Sequence, residues 1–147
     1  MNRFQWIPIT GLLATMAVAV YMVVQLSAQG TSVQAGDYRN ASVAEVHDAQ
    51  GQVVLRGPFE LVEEDDDDTE RKAALEAAGP DADASGEAEV EYSKANPAEQ
   101  EVEFSIRNLE PAASYSLVID GAAVGTVQTD QKGRAEFDLD VKAPASR

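Results

Sequence analysis

Apolar and polar residues alternate along much of the second half of the chain. Ala88, Val90 and Tyr92 fall between Glu87, Glu89 and Glu91. Val102, Phe104 and Ile106 oppose Glu101, Glu103 and Arg107, and Ala135, Phe137, Leu139 and Val141 oppose Arg134, Glu136, Asp138 and Asp140. A period of two with one wet face marks an antiparallel sheet packed on one side. Segments 41–48, 52–61, 114–120 and 123–129 are also strand-like, giving about seven short strands. Turn signals separate them. Asp120-Gly121 suits a two-residue hairpin, because both positions tolerate positive φ. Residues 48–51 and 130–133 share the form Asp-x-x-Gly, which predicts a type I turn closed by a left-handed glycine and hence a bulged hairpin. The fold class expected is all-β: an antiparallel β-sandwich of about seven strands.

Two stretches break the pattern. Residues 62–86 read as an acidic insertion within a domain spanning 41–145. Within it, 69–79 has helical spacing, with Asp67 and Glu70 as a capping box and Gly79-Pro80 as a stop. Leu75 is its one large apolar residue, which predicts a helix lying on the domain. The other stretch is the N-terminus. Residues 7–26 carry no ionisable side chain except the Tyr21 phenol, and about 20 residues suffice to cross a bilayer as a helix.

Segment 1–28 therefore has two readings, a cleavable signal peptide or an uncleaved membrane anchor helix. Arg3 before the apolar run and acidic bulk after it predict a cytoplasmic N-terminus and an exported domain. That domain is periplasmic, on the outer face of the cytoplasmic membrane, or secreted if the segment is cleaved. Residues 29–40, small and polar, read as a linker.

The stretch Phe104 to Ile119 holds the most specific local signal. Leu109, Pro111 and Tyr115 have the spacing Leu-x-Pro-x-x-x-Tyr between two strands. This resembles the E–F corner of fibronectin type III and other immunoglobulin-like sandwiches, over about 30 residues. The resemblance implies an immunoglobulin-like sandwich and a structural role for Tyr115, with its hydroxyl bonded to upstream backbone. The core Trp usual in such domains has no counterpart, since Trp6 lies in the N-terminal segment.

Charge narrows the functional classes. With 26 acidic residues against 11 Lys and Arg, the formal net charge is −15, which repels nucleic acid. There is no cysteine, so disulfides, thiol nucleophiles and thiolate metal sites are excluded. His47 is the one histidine and reads as a surface residue. Ser105, Ser114 and Ser116 have no base beyond it, and no nucleophile elbow or phosphate loop is present. The expectation is a non-enzymatic binding or assembly module of the bacterial cell envelope, with an envelope protein or surface component as partner and the membrane contacted through residues 7–26.

The alternative is a calcium-dependent surface module. Its metal candidates are Glu63, Glu64, Asp65, Asp66, Asp67 and Asp68, because calcium takes six to eight oxygens. The run lacks the Asp-x-Asp-x-Asp-Gly loop, so a solvated acidic loop is the competing reading. Finally, direct pairing of 87–93 with 101–108 would set Glu opposite Glu, which is destabilising. Either the two strands lie in different sheets, which is the favoured reading, or cations screen them.

Overall fold

The computed structural model describes residues 36–64 and 67–142. The apolar segment 7–26 lies outside them, and no helix among the described residues is long and apolar enough to cross a membrane. The described part is all-β. Its strands are β1 Val43–His47, β2 Val53–Pro58, β3 Glu60–Glu64, β4 Asp68–Ala77, β5 Ser85–Ser93, β6 Glu99–Arg107, β7 Ser114–Ile119, β8 Ala122–Gln128 and β9 Ala135–Lys142.

All belong to one antiparallel sheet in the order β8-β7-β1-β2-β4-β5-β6-β9, with β3 beside β4. The two-sheet division of a sandwich does not appear in this pairing. Instead the sheet curls until its ends meet, nearly closing a barrel. At the seam, Phe137 of β9 lies directly over the backbone of Gly125 of β8. Only a residue without a Cβ leaves room for that ring.

The interior follows the alternation read from the sequence. Ala88, Val90, Val102, Phe104 and Ile106 are buried together with Val46, Leu55, Leu117 and Val124. One interior row runs Ala73, Ala88, Phe104, Phe137 across β4, β5, β6 and β9. Small residues facing large ones fill the taper of a small barrel. Tyr38 and Ala41 join this core, so the chain just before β1 packs against the barrel, including part of the stretch read as a linker.

The largest departure is β4. The predicted helix over 69–79 is a strand, paired on one side with β2 and β3 and on the other with β5. Its sequence also has a period of two: Thr69, Ala73 and Leu75 are buried, whereas Ala74 and Glu76 are exposed. Burial between neighbouring strands outweighs the helix preference of Ala, Leu, Glu and Lys, which spans only about 0.7 kcal/mol per residue. The acidic run therefore sits at the β3–β4 hairpin, where Glu64 pairs with Thr69. The segment 52–61, expected as one strand, is divided at Phe59 into β2 and β3; Glu60 and Leu61 continue the register of β2 along β4, and a bulge between Leu61 and Glu63 then shifts it.

The turns match more closely. Asp120 and Gly121 have φ of 48° and 81°, and they join β7 to β8 as expected. In both Asp-x-x-Gly turns the Gly N–H donates to the Asp carbonyl, at 3.0 Å for Gly51 and 3.1 Å for Gly133. The first closes the β1–β2 hairpin. After the second the strands part, and β9 pairs with β6 instead of β8. The strands carrying Glu89 and Glu103, expected in different sheets, are direct neighbours.

Candidate functional site: an acidic sheet face

The register places the outward residues of five strands in continuous rungs. One rung runs Glu63, Glu70, Glu91, Glu101, Asp140 across β3, β4, β5, β6 and β9. The next runs Glu60, Lys72, Glu89, Glu103, Asp138. Directly opposite side chains in such a ladder stand about 5 Å apart at Cβ. A cavity of about 350 Å³ lies over this face, bordered by Glu87, Glu89, Glu103, Glu136 and Asp138.

Lys72 neutralises one corner. Its ammonium bonds Glu70 at 2.6 Å and Glu89 at 3.2 Å, and these two bonds hold its pKa well above the ordinary lysine value. Farther along, compensation fails. Partial burial raises the Glu101 pKa, and Asp138, Glu103, Asp140 and Glu91 push it the same way. Burial also raises Glu89, against the bond from Lys72.

Glu101, Glu103 and Asp138 each bring one carboxylate oxygen within 4.8 Å of the others. Three carboxylates on a rigid sheet offer up to six oxygens, a donor set suited to a hard divalent cation. They equally suit ammonium or guanidinium groups, which pair with carboxylates through charge-assisted hydrogen bonds.

The residues proposed from sequence occupy the edge of this face. Glu63 lies in the first rung, and Glu64 ends β3. Asp65 and Asp66 lie outside the described residues. Asp67 is exposed, and its carbonyl accepts the Lys94 N–H at 2.8 Å. Asp68 begins β4 opposite Ser93. Glu63 and Asp68 share a shallow depression with Glu70 and Glu91. The structure thus joins the start and end of the run to the sheet face.

Glu101, Glu103 and Asp138 were missed as a group. Alternation had assigned each to a wet face, but only the register shows that they adjoin. His47 is half-buried, and its Nε2 lies 3.0 Å from Glu45 Oε2. Ser116 stands opposite it on β7, a neighbour no local pattern predicts, and the hydrogen-bond partner of the His47 side chain is Glu45 instead.

The corner after β6 has the geometry expected of it. Tyr115 is buried, and its hydroxyl accepts the Glu110 N–H at 3.1 Å. Thr129, which sequence reasoning overlooked, donates its hydroxyl to the Glu110 carbonyl at 2.6 Å. Compared with protein-family models, curated proteins and solved structures, the chain matches none.

Proposed function

We propose that the protein is a non-enzymatic binding module of the bacterial cell envelope, and that its acidic sheet face engages a positively charged partner. One observation carries this reading: carboxylates stand directly opposite carboxylates over β5, β6 and β9, while Lys72 bonds Glu70 and Glu89 and Lys142 bonds Glu99 at the margins. Repulsion of this kind is relieved when cations dock, so the free energy of binding includes that relief. Export of the domain, through a signal peptide or anchor at 7–26, belongs to the same proposal. So does kinship with immunoglobulin-like sandwiches, supported by the corner of Leu109, Pro111 and Tyr115.

The test uses the full chain in detergent micelles, with fluorescent polylysine as probe and sodium chloride as competitor. Binding should weaken steeply with salt and should drop when Glu103→Gln is combined with Asp138→Asn. Equal binding by that double variant would refute the assignment of the face.

A second reading is favoured by the closeness of Glu101, Glu103 and Asp138: a divalent cation is the ligand, as a calcium-dependent module requires. Calorimetric titration with calcium separates the two. Saturable heat that the same double variant abolishes supports the cation site, and its absence leaves the polycation reading.

A further inference from the structure

Strand β3 pairs with β4 on one side, and no described strand lies beside its outer edge. Its backbone direction follows from β2. The Phe59 N–H turns away from β4 and donates to the Ser42 carbonyl at 2.9 Å, just past the Val43–Pro58 pair that ends the β1 ladder. Backbone polar groups alternate sides along a strand. Leu61, two residues on and still in the same register along β4, therefore turns its N–H and carbonyl outward, where β1 no longer runs.

The same strand carries the two exposed large apolar side chains of the described residues, Leu61 at 51% and Val62 at 57%. Leu61 heads a row that continues through Arg71 to the buried Val90 and Val102. It thus lies on the apolar side of the sheet, at a place where no neighbouring strand covers it. Glu60 and Glu63, on the other side, begin the two acidic rungs.

A free edge with exposed apolar side chains is a template for strand addition. Short length, charge and a bulge are also the devices that keep edges from pairing. Here the charge discriminates between partners. A second copy would set Glu60 and Glu63 against another acidic edge, on a chain of net charge −15, whereas a basic strand meets opposite charges.

We infer that the outer edge of β3 docks an extended segment of a basic partner protein, which joins the sheet as an added strand. The segment's backbone answers that of Leu61. Its apolar side chains pack beside Leu61, and its alternate Lys or Arg side chains fall on the acidic side with Glu60 and Glu63. The inference deepens the proposed function by naming how the positively charged partner docks, and it rests on that reading for the sign of the charge.

The experiment is calorimetric titration of the full chain in neutral detergent micelles with two heptapeptides of equal charge, one alternating Lys with Val and the other Lys with Pro. Proline has no N–H and cannot join a ladder. The Lys-Val peptide should bind saturably, and the Lys-Pro peptide about tenfold more weakly. Leu61→Pro deletes the outward N–H and should weaken Lys-Val binding by about tenfold while leaving polylysine binding unchanged. Leu61→Ser removes the apolar contact at an exposed position and should weaken it by about threefold, so it tests the edge even if Leu61→Pro unfolds. The inference is overturned if the Lys-Val peptide does not saturate, if the two peptides bind equally, or if Leu61→Ser binds Lys-Val as tightly as wild type. The acidic face would then be adsorbing cations without adding a strand, and the proposed function would still stand or fall on polylysine and the Glu103→Gln with Asp138→Asn variant. A dimer in sedimentation velocity that Leu61→Ser dissociates also overturns it, because a second copy would then occupy the edge.

Discussion

Strand β6 links two regions built on opposite terms. Its C-terminal end leads into the Tyr115 corner, where backbone groups are answered in turn. Leu109 N–H donates to the Gly133 carbonyl at 3.1 Å, and both polar backbone groups of Glu110 are held, by Tyr115 and Thr129. The middle of β6 runs through the acidic rungs, where Glu101 and Glu103 meet Glu91, Glu89, Asp140 and Asp138. The corner is locally optimised and needs no partner. The acidic face is locally unfavourable and is held in place by what lies beneath it. That difference separates scaffold from candidate site: stability is concentrated where polar groups are paired, and binding capacity where they are not.

The most direct way to break the comparison is to remove what lies beneath. Phe104, 2% exposed, sits under the rungs in the interior row of Ala73, Ala88 and Phe137. Phe104→Ala should cost about 3–5 kcal/mol, because the cavity it opens cannot collapse between paired strands. Urea denaturation measures this. A loss no larger than that of Glu103→Ala on the opposite side of the strand would reverse the assignment of the two faces.

The corner is next. Gly133 has φ of 70°, and its Cα faces the Leu109 backbone so closely that a Cβ would collide with the carbonyl. Gly133→Ala should therefore cost about 2–3 kcal/mol, from a left-handed backbone and a backbone clash together. Gly51 occupies the equivalent turn with φ of 78° and open space around it. Gly51→Ala should cost about 1 kcal/mol, the conformational part alone. Thermal melts of the two variants isolate the clash, and equal losses would show that the Leu109 contact contributes nothing.

Tyr115→Phe keeps the ring and deletes the hydroxyl, leaving Glu110 N–H without its acceptor. A loss of about 1–2 kcal/mol is expected. Thr129→Val should bring a similar loss, since it frees the Glu110 carbonyl. Because both hydroxyls hold the same peptide segment, the double variant should lose less than the sum. Strict additivity in chemical denaturation would mean that the two bonds are independent and that the corner is not one unit.

Local features of this kind were legible in the sequence because each rests on a few adjacent residues. Asp120-Gly121, the two Asp-x-x-Gly turns and the Leu109–Tyr115 spacing all specify backbone geometry over short range. The alternation at 87–93, 101–107 and 134–141 identified the buried face of each strand for the same reason. Pairing was not legible. Residues 69–77 satisfy a helical and a strand pattern at once, and the choice is made by the strands paired on either side, β3 and β5 above all. The direct pairing of β5 with β6 was rejected on charge, but the magnitudes favour it. Like charges directly opposite cost a fraction of a kcal/mol per pair, whereas burying Val90, Val102, Phe104 and Ile106 stabilises by roughly 1.5–3 kcal/mol for each side chain. The hydrophobic face sets the register, and the acidic face follows from it. The triad of Glu101, Glu103 and Asp138 was hidden for a related reason: it needs the pairing of β6 with β9, which no local pattern specifies.

The smallest expected effect sharpens the comparison most, because it has the opposite sign. Glu103 is exposed and stands between Glu89 and Asp138. Glu103→Gln should leave stability within about 0.5 kcal/mol of wild type, on the stabilising side, since it removes repulsion without opening a cavity. The pH dependence tests the same point without mutation. The folded pKa values of Glu89 and Glu101 lie above the ordinary value of 4.5, with burial the leading cause and neighbouring carboxylates adding to it. A raised carboxyl contributes stability that is fully present below its unfolded value and is lost as pH rises through its folded value. Acidification from neutrality toward about pH 5 should therefore stabilise the fold through these two groups. Asp37 and Asp130 act in the other direction. The Arg39 side chain lowers the first, and the Arg134 backbone N–H lowers the second, below the ordinary 3.8. Their contribution is present above the unfolded value and is lost as pH falls through their folded values, in a more acidic range. The urea midpoint should thus rise as pH drops from 7, then fall at stronger acidity, and the rise should shrink in high salt and in Glu103→Gln. A midpoint that falls steadily from pH 7 downward would mean that the acidic face is already compensated, and the contrast with the Tyr115 corner would disappear.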